Sequence, residues 1–239
     1  LRAAFEPYLK ILGNPAASNV SEAALVATAL PQPFLLEKLR EMANASEKER
    51  HWDRQQVLEG LARLGTRAAW EVIADVARRG AAGSATDNTL RAYAVTLLGQ
   101  KGDPVFIPVL LELVSAGPEE LRGNALRALG LFNHPRANQV LFEKLRSPSP
   151  GDRVNGILGL RNLRSKDAVP ALIAMLNDSE AQVRQVAHFA LQGLTGQKFK
   201  LSTSAPPREA GRVRERWQSW WREHGAKFTP ARQPPCRDW

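Results

Sequence analysis

The sequence predicts an all-α protein built from stacked helix pairs. Two observations carry this: an internal period of 31 residues and a composition that favours helix over sheet. Arg91, Arg122, Arg153 and Arg184 follow one another 31 residues apart. Three places after each stands a small residue (Ala94, Ala125, Gly156, Ala187), and seven places after each a leucine (Leu98, Leu129, Leu160, Leu191). A chain that copies itself at such a period is an array in which each unit buries its apolar stripe against its neighbours. Alanine, leucine and arginine dominate, and all three are good helix formers.

From the N-terminus, residues 1–33 hold two weak helical stretches, with Phe5, Tyr8, Leu9 and Leu12 on one face. They read as a helical cap or a degenerate repeat. A first full unit is expected from Phe34 to Gly65. Its second helix opens on Ser46 with Glu49, the spacing of a capping box, and carries the stripe Val57, Leu61 and Leu64. In the next unit, Thr66 to Gly99, Leu98-Gly99 echoes Leu64-Gly65 at 34 residues, and an insertion near Gly80 to Asn88 lengthens the inter-helix loop.

Three units then keep the 31-residue period. Their first helices align Leu110, Leu141 and Leu172, then Leu111, Phe142 and Ile173, then Val114, Leu145 and Leu176. Ser115-Ala116-Gly117-Pro118, Ser147-Pro148-Ser149-Pro150-Gly151 and Asn177-Asp178-Ser179 punctuate them, because Gly and Pro end helices while Ser, Asn and Asp cap the next. In the second helices the spacings of three, four and seven bring arginine, small residue and leucine onto one core-facing stripe. The small residue lets the neighbouring helix approach closely.

The stretch Ala168-Val169-Pro170-Ala171-Leu172-Ile173-Ala174-Met175-Leu176-Asn177-Asp178, leading to Val183-Arg184-Gln185-Val186-Ala187, resembles the HEAT-repeat family. It is most similar to the short HEAT-like subclass also found in phycobilisome lyases. The resemblance covers about residues 34–196 and implies a right-handed α-α superhelix of five helix pairs. In the middle units the family's loop aspartate is missing. The motif is informative about fold and nearly silent on function, since such arrays serve as scaffolds, lyase domains and DNA-binding proteins.

After the last unit a loop leads to Pro206-Pro207 and a helix on which Val213, Trp217, Trp220, Trp221 and His224 share one broad face. This ending looks like that of many bacterial HEAT-repeat proteins of unassigned function. Residues 197–225 are therefore expected to cap the array, with Trp217, Trp220 and Trp221 sealing its end and Arg212, Arg214, Arg216 and Arg222 facing water. Residues 226–239 are expected to form a disordered basic tail, extended or poorly ordered from about Phe228 onward. From 198 to the end, ten Lys/Arg face four Asp/Glu, which is +6 of the total charge of +9.

The ladder of Arg91, Arg122, Arg153 and Arg184 reads as structural. In the family this position pairs with a loop acid or carbonyl, and Asp87 near Arg91 and Asp178 near Arg184 are the candidate acids. No catalytic constellation is visible. His51, His134, His188 and His224 lie far apart without zinc-ligand spacing, and Cys236 is the only cysteine. No metal or cofactor is expected. His188 stands where other units have Val95, Leu126 and Ile157, so it reads as packed between repeats. No apolar run reaches the roughly 18 residues of a membrane span. The chain begins at Leu1, so a processed or trimmed N-terminus is expected, and cytoplasmic and bacterial periplasmic locations both stay open.

These features describe a non-enzymatic scaffold that binds another protein, alone or within a larger complex. Nucleic-acid binding and a HEAT-like lyase or enzyme-accessory role remain alternatives. In such an array the second helices line the concave face. Taking Ala94 as inward, the residues two before and two after it, and their equivalents, point away from the core. They are Ala92 and Thr96, Gly123 and Arg127, Val154 and Leu158, Gln185 and Phe189, with Arg161 and Gln192 at the flank. Val154, Leu158 and Phe189 would form a hydrophobic spot, and Arg127 and Arg161 would hold a carboxylate. That suits an acidic amphipathic helix or extended peptide.

Overall fold

The structure is a computed structural model that describes residues 2–12, 20–30, 32–45, 53–79, 85–202 and 206–230. Among these residues there are helices and no strand. The chain divides into two compact units, one up to Leu98 and one from Gly99 on.

In the first unit α1 (Arg2–Leu12) packs on α2 (Val20–Ala29), and α2 packs on α4 (Arg54–Leu64). α3 (Leu36–Asn44) and α4 pair, and both meet α5 (Arg67–Arg78). α6 (Ala85–Lys101) is tied to the end of α5 by Arg91, whose Nε donates to the Ala77 carbonyl at 3.3 Å. The ends of these helices follow from local chemistry. Asp53 accepts from Gln55 N–H and Thr66 from Ala69 N–H as N-caps, while Gly65 closes α4 in the left-handed region at φ 70°. Ser46, Glu49 and His51 lie outside the described residues.

The echo of Leu64-Gly65 in Leu98-Gly99 is not structural. Gly65 stops a helix, whereas Gly99 lies inside α6, where a Cβ would come within 2.9 Å of the Ala128 Cβ. The true equivalent of Leu98 is the fully buried Leu61, while Leu64 is half-buried. Arg54 stands seven residues before Leu61 and three before Val57, so it is a further rung of the ladder, 37 residues ahead of Arg91.

In the second unit α7 (Ile107–Ala116) pairs with α8 (Glu119–Leu129), α9 (Pro135–Lys144) with α10 (Pro150–Leu163), and α11 (Ala168–Met175) with α12 (Ala181–Thr195). The second helices also stack directly, α8 on α10 and α10 on α12. Ala125, Ala187, Leu129, Leu160 and Leu191 are fully buried, and Gly156 is buried beside the Leu141 carbonyl. The α8–α10 approach is closer still. A Cβ on Gly159 would lie 2.4 Å from Leu141 Cδ2 and 2.6 Å from the Leu126 carbonyl oxygen, so only glycine fits. The terminal helix α13 (Pro207–His224) packs on α11.

Candidate functional site

Two sets of hydrogen bonds cross from one repeat to the next. The first runs through the arginine ladder. Arg153 makes a two-pronged ion pair with Asp178, Nε and Nη2 each 2.8 Å from a carboxylate oxygen, and its Nη1 donates to the carbonyls of Ser147 and Pro148. Arg122 reaches Asp152 at 3.5 Å and the Gly117 carbonyl at 3.1 Å. Arg54 reaches Asp87 at 3.1 Å. In each case the carbonyl comes from the arginine's own inter-helix turn where one is present, and the acid comes from the following repeat.

This corrects the expected acid partners. Asp178 gives its side chain to Arg153 and only its backbone carbonyl to Arg184, which also binds the Ser179 carbonyl. Asp87 serves Arg54, while Arg91 has Asn88 and the Ala77 carbonyl. The physical reason is direction: an arginine at the start of a second helix points along the stack toward the next turn. Asp152 also fills the place of a loop acid that the family resemblance left empty. Burial would raise its pKa, but Lys144, Ser147 and Arg122 together hold it below the usual carboxylate range. The Asp178 bond raises that of Arg153, outweighing its burial.

The second set lies on the outer edge of the second helices. In two repeats the fifth residue after a ladder arginine bonds the second residue after the next one. In the first unit this is Glu59, which accepts from the Tyr93 hydroxyl at 2.7 Å. Burial and then that bond push the Tyr93 phenol up to about 12. In the second unit it is Arg127, whose Nη1 and Nη2 donate to Asn155 and Asn124. A related bond joins the ninth residue to the fifth of the repeat before, Asn162 Nδ2 to the Arg127 carbonyl at 3.0 Å. Arg63 does the same to the Thr28 carbonyl at 3.1 Å, so α2 meets α4 as one second helix meets another.

Arg127 is therefore not the free cation that the sequence suggested. Two asparagines hold its guanidinium and burial lowers its pKa. Arg161 is exposed and makes no hydrogen bond or ion pair among the described residues. It lies along Gly193 of α12, where an added methyl group would sit 3.8 Å from Arg161 Cδ. Val154 and Leu158 are half-buried on α10, and Phe189 on α12 is 54% exposed. Thr96 belongs to the first unit, exposed, with its hydroxyl bonded to the Ala92 carbonyl at 3.0 Å.

Phe189 is the fifth residue after Arg184, the position held by Glu59 and Arg127 in earlier repeats. Among the described residues no second helix stacks on α12 from the far side to engage it. The next element is α13, and its core contact is Trp217, which is fully buried. The Trp217 ring packs against Phe199 at 4.6 Å and Trp220 at 5.9 Å, and its Nε1–H donates to His188 Nδ1 at 3.3 Å. Trp220 and Trp221 are only half-buried, which corrects the expectation that all three seal the end. Trp220 stacks on His224, and Trp221 lines an open cleft of about 460 Å³ with Pro170, Ile173, Ala174, Gln218 and Arg222.

The arginines of α13 also divide. Arg212 and Arg222 are exposed, Arg216 lies over the Phe199 ring at 4.7 Å, and Arg214 is half-buried. The Phe228 ring packs against Trp220 and Trp221 at 5.8 and 5.7 Å. Residues 231–239, with Cys236, lie outside the described residues. Among the described residues no group of three or more His, Cys, Asp or Glu is placed to hold a metal, and no helix is long and apolar enough to cross a membrane.

Helix pairs that stack on one another in series define an all-α repeat solenoid, a class that typically serves protein interaction. A family model of HEAT repeats matches residues 81–145 and 107–192. Residues 81–192 are thus similar to HEAT repeats. The chain is similar to a designed armadillo repeat protein, with 16% identity over 78% of this chain and 98% of that one and a TM-score of 0.45. An engineered protein is similar at 16% identity over 79% of this chain and 96% of that one, with a TM-score of 0.41. No curated protein matches significantly.

Proposed function

We propose that the second unit docks a segment of another protein, an acidic amphipathic helix or peptide, on the face formed by α10 and α12. The observation that supports this most is Phe189, an aromatic ring 54% exposed at the position where Glu59 and Arg127 make hydrogen bonds to the next repeat. Half-buried Val154 and Leu158 give it an apolar surround, and Arg161 supplies an uncommitted positive charge at the edge. A partner helix would place an apolar residue against Phe189 and Leu158 and a carboxylate against Arg161. On this reading residues 34–196 act as five repeats, residues 1–33 as a degenerate sixth and α13 as the cap. The role is that of a non-enzymatic scaffold.

The nucleic-acid reading is less well supported. Its stacking platform would be the tryptophan face of α13, where Trp217 is buried and Trp220 already stacks on His224.

The test is binding of labelled amphipathic peptides matched in apolar content and graded in acidic charge. Acidic members should bind, and Phe189→Asp or Arg161→Glu should each weaken them at least about tenfold, roughly 1.4 kcal/mol. Both side chains are exposed, so neither change should alter the unfolding midpoint. Affinity that ignores peptide charge and both substitutions would rule the face out.

A further inference from the structure

His188 is 2% exposed, in a slot that Val95, Leu126 and Ile157 fill with apolar side chains in the other repeats. A buried imidazole there must have both ring nitrogens satisfied. Trp217 Nε1–H can only donate, and it faces His188 Nδ1 at 3.3 Å. Nδ1 must therefore carry the lone pair. The proton then sits on Nε2, which donates to the Phe199 carbonyl at 2.8 Å. Gln192 Nε2 donates to the same carbonyl at 2.7 Å. The neutral Nε2–H form is the one tautomer that joins α12, the Phe199 loop and α13.

A second proton has one place to go, Nδ1, where it would point at the Trp217 N–H. Attraction becomes repulsion between two donors, and a charge appears in a buried slot. The surroundings offer that charge no anion. On α12, Arg184 lies one turn back and is held by the Asp178 and Ser179 carbonyls. α11 carries no charged residue. On α10, Asp152 is taken by Lys144 and Arg122, Arg153 is paired with Asp178, and Arg161 lies along Gly193. Lys198 and Lys200 flank Phe199 and are exposed. On α13, Arg216 covers the Phe199 ring, Arg214 is half-buried with an unpaired Nε, and Glu209 accepts from Ser202 N–H. Glu215, Glu223 and His224 on the same helix are exposed.

We propose that His188, Trp217 and the Phe199 carbonyl form a proton-sensitive latch that holds α13 on the last helix pair at neutral pH and releases it on acidification. This goes beyond the peptide-docking reading and stands without it. Release would uncover the Trp217 slot on α12, one residue from Phe189. Burial lowers the His188 pKa while α13 is docked. The docked form therefore binds fewer protons than the released one below about pH 6.5, the ordinary histidine value. Docking is complete above that pH and weakens as pH falls, by about tenfold per pH unit down to the docked-state pKa.

The experiment compares the full chain with His188→Gln from pH 7.5 to 5.0 by tryptophan emission and urea unfolding. Glutamine accepts from Trp217 through Oε1 and donates to Phe199 through Nε2, but it does not titrate. The unsubstituted protein should show a red shift of emission below about pH 6.5 and a steeper loss of stability than His188→Gln. Parallel profiles would overturn the latch. Should His188→Gln not fold, nitrogen-detected imidazole NMR of the unsubstituted protein decides. An Nε2–H tautomer at pH 7, whose protonation below the ordinary histidine value moves the Trp217 indole resonance, supports the latch. Titration near about 6.5 with that resonance unmoved refutes it.

Discussion

At the α8–α10 junction the fifth residue after the ladder arginine is Arg127, locked between Asn124 and Asn155. At the α12–α13 junction the same position is Phe189, left 54% exposed. The two ends of one unit thus treat equivalent positions in opposite ways. At this inner junction the next repeat closes the polar edge of the one before it, and glycine lets the backbones touch. At the end no equivalent helix arrives, and closure comes from one aromatic side chain inserted crosswise, Trp217, whose N–H bonds His188. A repeat protein stays uniform where its neighbours are copies of itself and becomes particular where they are not.

The largest effect that would break this contrast is at the end. Trp217→Ala removes a fully buried ring and its bond to His188, and should lower stability by about 3–5 kcal/mol in urea unfolding. A midpoint that does not move would mean that α13 contributes nothing to the unit.

Asp178→Asn probes the interior next. It strips Arg153 of its carboxylate but leaves Arg184 its two backbone carbonyls, so the expected loss is about 2–3 kcal/mol. Addition of Arg153→Ala should then cost little more, because the two side chains act as a pair. Additive losses in that double-mutant cycle would show that the acid does not come from the following repeat.

The smallest effect sharpens the comparison at two glycines. Gly159→Ala should destabilise by about 1–3 kcal/mol, since its methyl meets Leu141 and the Leu126 carbonyl. Gly193→Ala, near the end of α12, meets nothing closer than Arg161 Cδ at 3.8 Å. It should be neutral or stabilise by up to about 1 kcal/mol, because alanine restricts the unfolded chain. Thermal denaturation of both variants, read side by side, settles the sign.

The sequence by itself determined the helix pairs, the 31-residue register and the core stripe, because these depend on spacing along one helix. Arg122, Arg153, Ala125, Ala187, Leu129 and Leu160 could be assigned from their repeats alone. Even Arg54 was legible, since Val57 and Leu61 follow it at three and seven, but its 37-residue offset hid it behind the stricter period. Tertiary structure alone decided which neighbour each polar group reaches. Asp178 turns to the preceding arginine and Arg127 is held by asparagines. Trp220 and Trp221 stay half-exposed while Trp217 is buried, and Phe228 folds back onto them. Periodicity fixes which face of a helix looks inward, whereas the partner of a side chain depends on the rise and rotation from one repeat to the next. Those quantities arise only when the helices stack.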